Sequence, residues 1–240
     1  MITLQKAVIG YGGTPLFPPL SGHFAVGSLT AVVGVNGAGK STLLKTLAGL
    51  LPLQGGNLRF SGNKLPRMAY LPQQAELDRQ FPILVSDLVA MGSWPTSGMF
   101  GGLNKHAKRQ ISEALDRVNM TAMARTPVGE LSGGQLQRVL FARLLVQQAP
   151  LILLDEPFTG IDSSTVQLLL QVIAGLHQQR KTVIAVLHDM SMVANHFPQA
   201  LLLTAECCHW GKADSVLEHI PALNIASAPL CSRGGRSDVA

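Results

Sequence analysis

Residues 31–44 read AVVGVNGAGKSTLL, an apolar run that stops at a glycine loop and resumes with helical spacing. Within it, Gly34 to Ser41 spell G-x-x-x-x-G-K-S. A strand before the loop and a helix after it are the setting a Walker A phosphate loop requires. Gly37 and Gly39 allow backbone angles that a side chain would forbid. Successive N–H groups along Gly34, Val35, Asn36, Gly37, Ala38 and Gly39 can then turn inward on phosphate oxygens. The helix that opens at this point adds partial positive charge. Lys40 is placed to reach the β- and γ-phosphates, Ser41 to offer its hydroxyl to Mg²⁺, and Thr42 to complete the ATP-binding set.

The partner of this loop lies downstream in LILLDEP, residues 151–157. Four apolar residues of a buried strand carry Asp155 to the strand's polar end, where a carboxylate can hold Mg²⁺. Pro157 ends the strand and frees Glu156 to face an attacking water. The two acids then have separate tasks, one on the metal and one on the water.

A third motif, LSGGQ at 131–135, stands where an amphipathic helix begins, yet it contains two glycines. Ser132 suits an N-cap and Gln135 falls at capping-box spacing. Gly133 and Gly134 leave the helix start bare, so an anion can approach it closely.

Composition narrows the class. The chain has 240 residues, 47% hydrophobic and only 14% charged, which excludes wholesale disorder and allows one large domain. No apolar window approaches the length of a membrane span, and MITLQKAVIGYGG lacks the marks of a signal peptide. A cytosolic protein without its own membrane span is expected. The net charge of +5 is scattered apart from KHAKR at 105–109, which argues against a nucleic-acid stripe. Cys207, Cys208 and Cys231 make no disulfide framework and no zinc-finger spacing. Adjacent strand residues point apart, so Cys207-Cys208-His209 is not read as a metal site.

Along the chain, strands are expected in MITLQKAVIGY, HFAVGSLTAVVGV, NLRF, RMAYL, LILLD, TVIAVLH and QALLLT. STLLKTLAGLL reads as a helix running to Pro52. Residues 163–179 read as a helix with Val166, Leu169, Leu170, Ile173 and Ala174 on one stripe. Strands alternating with helices call for a parallel sheet covered on both faces. The strand signal vanishes between about Ala75 and Glu130. The expected fold is an α/β P-loop NTPase with a mainly parallel core, an N-terminal antiparallel β portion and a helical insertion. Residues 1–220 form one domain, with core 1–74 and 136–220 and insertion 75–135, followed by a short mobile tail at 221–240. FPPLSGHF, with its two prolines, predicts an irregular early sheet edge.

LSGGQ followed twenty residues later by a Walker B strand resembles the nucleotide-binding subunits of ABC transporters, over nearly the whole chain from Ile2 to about Leu217. The resemblance implies ATP hydrolysis with Mg²⁺ bound through Ser41, Gln73 and Asp155. It also implies that Ser132, Gly133, Gly134 and Gln135 close over the γ-phosphate held by a second copy of the chain. Tyr11 in GYGG resembles the aromatic that stacks on adenine, and Gln73 in YLPQ the Q-loop glutamine, with Gln74 beside it a weaker candidate. Asp162 in TGID resembles the D-loop acid that crosses the dimer. His188 in VLHD resembles the switch histidine, so that Glu156, His188 and Gln73 form the catalytic group.

One cassette without a fused membrane domain implies separate permease subunits, a substrate-binding protein, and a place on the cytoplasmic face of the membrane. Long coiled-coil arms between the Walker motifs, as in chromosome-type members, do not fit the interval from Lys40 to Asp155. The stretch from Leu88 through Asp162 is similar to bacterial zinc, manganese and iron(II) importer cassettes. Siderophore, haem or cobalamin importers rank second, and a soluble non-transport ATPase third.

Overall fold

The computed structural model describes residues 1–62, 64–73, 82–93 and 104–220. The central sheet has six strands in the order β11-β10-β5-β9-β8-β7. These are β5 (Leu29–Val33), β7 (Met68–Leu71), β8 (Leu151–Asp155), β9 (Thr182–Val186), β10 (Gln199–Leu203) and β11 (Cys208–Lys212). All neighbours are parallel except β11, which folds back antiparallel on β10. β5, β8 and β9 are buried along their whole length, as parallel strands covered on both faces must be.

The period of two sorts these strands into two cores. Val32, Leu153, Ile184, Val186, Leu201 and Leu203 face one side, and Ala31, Val33, Ile152, Leu154, Ala185 and Leu202 the other. The first side holds helix α1 (Lys40–Leu47), whose Leu43, Leu44 and Leu47 are fully buried. Truncating one such leucine to alanine costs about 2–5 kcal/mol. Across α1 lies a separate antiparallel sheet, β4-β1-β6, built from β1 (Ile2–Val8), β4 (Leu20–Phe24) and β6 (Gly55–Phe60). A small ribbon, β2 (Gly10–Tyr11) with β3 (Thr14–Pro15), joins β1 to β4.

The second side carries helices α2 (Val85–Ala90), α3 (Lys105–Arg117), α4 (Gly133–Val146), α5 (Ser163–Gln178), α6 (Met190–His196) and α7 (Ala213–Leu217). The mainly parallel core and the antiparallel portion agree with the sequence reading. Between Pro82 and Glu130 the described residues form helices and turns without a strand. The expected tail 221–240, Gln74 and residues 94–103 of the expected insertion lie outside the described residues.

One boundary and one buried stripe differ from expectation for physical reasons. α1 stops at Leu47 rather than Pro52, because Gly49 takes φ 73°. Its N–H reaches Thr46 O and the Leu50 N–H reaches Lys45 O, closing the helix in a left-handed turn. On α5 the buried stripe runs Leu169, Leu170, Ile173, Leu176, and Ala174 is exposed. From Ile173 the helical period returns to the core at Leu176, leaving Ala174 on the outer face. The irregular early edge is present, since the register of β1 against β4 shifts between Leu4 and Ala7. Lys6 sits there at φ 47°.

Candidate functional site

The loops leaving β5, β7, β8 and β9 emerge at one edge of the sheet and gather a cleft of about 830 Å³. Tyr11, Asn36, Lys40, Ser41, Glu156 and His188 are among its lining residues. α1 starts there without a side-chain cap and without an acid in its first turn. Its leading N–H groups and the positive end of its dipole therefore suit an anion. Gly37 and Gly39 take φ 81° and 89°, as the sequence reading required.

Lys40 is buried, and its Nζ donates to the carbonyl oxygens of Gly34 at 3.0 Å and Val35 at 2.9 Å. Burial pulls its pKa down, while the charges of Glu156 and Asp155 oppose that shift. Phosphate oxygens are stronger acceptors than two neutral carbonyls, so the ammonium is poised to exchange partners. Tyr11 is 53% exposed at the cleft rim, and its hydroxyl lies 3.3 Å from Thr42 Oγ1. An exposed ring face at that position can accept a base.

Asp155 ends β8 nearly fully buried, and its Oδ1 accepts a hydrogen bond from Ser41 Oγ at 2.8 Å. Burial raises the Asp155 pKa; the Ser41 bond lowers it, the neighbouring Glu156 charge raises it, and the Tyr70 bond lowers it. A hydroxyl and a carboxylate converging beside a phosphate loop make an oxygen-donor set that fits Mg²⁺. Tyr70, whose hydroxyl donates to Asp155 Oδ2 at 3.4 Å, was not singled out by the sequence reading. No local signal marked it, because Tyr70 reaches Asp155 only through the pairing of β7 with β8, where it stands opposite Leu153, two positions before Asp155.

Glu156 turns out of the strand at φ 49°, a left-handed conformation that is costly for a residue with a side chain. The turn aims its carboxylate at residues leaving two other strands. Gln73 Nε2 donates to Oε2 at 2.8 Å, and Thr159 Oγ1 approaches the same oxygen at 3.4 Å. His188 Nε2 lies 2.6 Å from Oε1. The structure therefore brings Glu156, Gln73 and His188 together, with Gln73 engaged on Glu156 rather than on the Ser41–Asp155 pair. A carboxylate held by an imidazole and an amide beside a phosphate loop can orient a water for attack on phosphorus.

The LSGGQ motif lies elsewhere. Ser132 Oγ accepts the Gln135 N–H at 3.2 Å and Gln135 Oε1 accepts the Ser132 N–H at 2.9 Å, the expected capping box. Asp162 caps α5, accepting the Thr165 N–H at 2.9 Å. Neither Ser132–Gln135 nor Asp162 lines the cleft of its own chain. At the far hairpin, Cys207 Sγ faces His209 Nε2 at 3.3 Å, and Cys208 packs into the core beside Trp210. Adjacent cysteines point apart as the strand geometry requires.

A glycine-rich phosphate loop, a buried aspartate bonded to its serine and a glutamate at the end of the same strand make the arrangement of a P-loop ATPase. Residues 17–159 match the family described as ABC transporter. The chain belongs to that family. It is 39% identical over 217 residues, covering 89% of this chain and 90% of the relative, to the manganese transport system ATP-binding protein MntB of Listeria innocua. It is 37% identical to the zinc transport system ATP-binding protein TroB of Treponema pallidum, covering 99% of this chain and 92% of that one. Among solved structures, a metal-chelate type ABC transporter in an inward-facing conformation superposes with TM-score 0.83 at 29% identity, covering 93% and 88% of the two chains. The dimeric cassette MJ0796 has the same fold, with TM-score 0.76 at 24% identity, covering 89% of this chain and 99% of that one.

Proposed function

We propose that this chain is the ATP-hydrolysing subunit of an importer for a transition-metal ion, with manganese, zinc and iron(II) as the candidate cargoes. The observation that carries the hydrolytic part is the grip of Gln73 and His188 on Glu156, beside the Ser41–Asp155 pair. Glu156 orients the water, Asp155 and Ser41 would hold Mg²⁺ with Gln73 as the further candidate ligand, and Lys40 neutralises the β- and γ-phosphates. Mg²⁺ supplies charge neutralisation on the phosphates when bound. Tyr11 stacks on the adenine.

The cargo is supported by the manganese and zinc systems in which relatives at 34–39% identity serve. The metal ion itself passes through other subunits, so no ligand for it is needed here. The partners are a second copy of the chain, separate membrane permeases and a substrate-binding protein. Among the described residues no helix is long and apolar enough to cross a membrane, which fits a peripheral place on the cytoplasmic face. LSGGQ and Asp162 stand apart from their own cleft, which supports a site completed by the LSGGQ of a second copy.

The likeness to a metal-chelate transporter favours a second reading, in which the cargo is a chelated metal. Elemental analysis of cells grown in metal-poor medium, with the native gene or a Glu156→Gln copy, separates the two. A selective fall in one metal, rescued by adding that ion in excess, supports free-ion import. A fall seen only when the metal is offered as a chelate supports the second reading. No change in any metal, with the variant protein present, argues against both.

A further inference from the structure

The two glycines of LSGGQ have different surroundings. A Cβ built on Gly133 meets nothing within 4 Å, so that position is open to an incoming group. A Cβ on Gly134 would lie 3.0 Å from Asp162 Oδ2 and 3.3 Å from Thr165 Oγ1. Gly134 is therefore bare because the cap of α5 packs against it within the same chain.

Two further residues on that face of α4 make the same connection. Gly134, Gln137 and Arg138 stand at i, i+3 and i+4, one stripe of a helix. Gln137 Nε2 donates to the carbonyl oxygen of Pro157 at 2.7 Å, one residue beyond Glu156. Arg138 donates to Thr165 Oγ1 through Nε at 3.1 Å and Nη2 at 2.7 Å. The Thr165 hydroxyl has one proton, and it goes to Asp162 Oδ2 at 2.8 Å. Its lone pairs are then available to both guanidinium N–H groups. Thr165 is buried between a half-buried Arg138 and an exposed Asp162. Bonds from Ser164, the Thr165 backbone and the Thr165 hydroxyl hold the Asp162 carboxyl below the usual carboxylate range.

We infer that Gln137, Arg138 and Thr165 are positioning residues that tie the start of α4 to the segment 157–162, and thereby to Glu156. A phosphate drawn onto Gly133 and Ser132 pulls on α4, and the stripe passes that displacement to Pro157 and Asp162. The coupling runs within one subunit, from the motif that senses the partner's nucleotide to the acid that acts on its own. It rests on the reading that a second copy supplies that nucleotide.

The test places Thr165→Val and Arg138→Gln separately in a Glu156→Gln chain. The midpoint of Mg-ATP-driven dimer formation is followed by light scattering, and the affinity of single chains for a fluorescent ATP analogue is measured alongside. Each substitution is expected to raise the midpoint about tenfold, the size of one charge-assisted hydrogen bond, with analogue affinity unchanged. Thr165→Ser, which keeps the hydroxyl, is expected to restore it. Unchanged midpoints in both variants would overturn the relay. A Glu156→Gln parent that stays monomeric with Mg-ATP defeats the dimer reading instead. Amide exchange then decides the relay on single chains: Thr165→Val is expected to speed exchange at 132–135 and at 158–162 together, and unchanged exchange at 132–135 would overturn it.

Discussion

His188 Nε2 and Glu156 Oε1 are 2.6 Å apart although the two residues leave different strands. Parallel register explains the meeting. Asp155 is paired with Val186 across β8 and β9, so Glu156 and His188 emerge side by side one and two residues later. The positive φ of Glu156 then swings its carboxylate across to the imidazole. His188→Ala removes the group that fixes this carboxylate. It is expected to lower kcat about 10²-fold or more, with little change in ATP affinity, in a steady-state phosphate-release assay.

Lys40→Ala removes the cation that exchanges loop carbonyls for phosphate. Affinity for a fluorescent ATP analogue is expected to fall by more than about tenfold, the scale of a hydrogen bond to a charged group. Thermal stability should change little, because the two carbonyls bonded to Nζ belong to a loop open to water. Unchanged analogue binding would refute the phosphate-loop assignment.

Gly22 on β4 lies directly under the indole of Trp210 on β11, a contact joining the two sheets. A Cβ at Gly22 would lie 2.7 Å from Trp210 Cε3. The Trp210 ring is also tilted against Phe24, with centroids 4.5 Å apart, and has limited room to retreat. Gly22→Ala is therefore expected to cost about 1–3 kcal/mol, read as a fall in Tm of a few degrees. An unchanged Tm would show that the indole moves freely.

Burial, and then the charge of neighbouring Cys207, push the Cys208 thiol up to about 11. The folded chain then holds this proton more tightly than the unfolded chain does. The group's stabilising contribution is present below the ordinary thiol pKa and is lost as pH rises toward 11. Iodoacetamide labelling read by mass spectrometry should show Cys208 in the folded chain reacting about 50-fold more slowly at pH 9 than in urea, the ratio of the two thiolate fractions. Its rate should climb about tenfold per pH unit. Equal rates in the two states would contradict burial of the thiol.

Much of this was legible in the sequence because the motifs are local. Gly34–Ser41, Asp155 and Glu156 each announce themselves within eight residues, and the buried strands read as unbroken apolar runs. What escaped depends on distant pairing. Tyr70 is an unremarkable strand residue until β7 pairs with β8. Gln137, Arg138 and Thr165 look like ordinary helix residues until α4 packs against α5. The end of α1 was misplaced because Gly49 acts through backbone geometry, which the apolar pattern running on to Leu51 conceals.

The central claim is that Glu156 directs water onto an ATP molecule held by Gly34–Thr42. The most direct measurement compares phosphate release and equilibrium ATP binding for the native chain and Glu156→Gln. Release is expected to fall about 10²–10⁴-fold with binding retained, because the amide keeps the shape of the acid but not its basicity. Phosphate release within a few-fold of native would contradict the account.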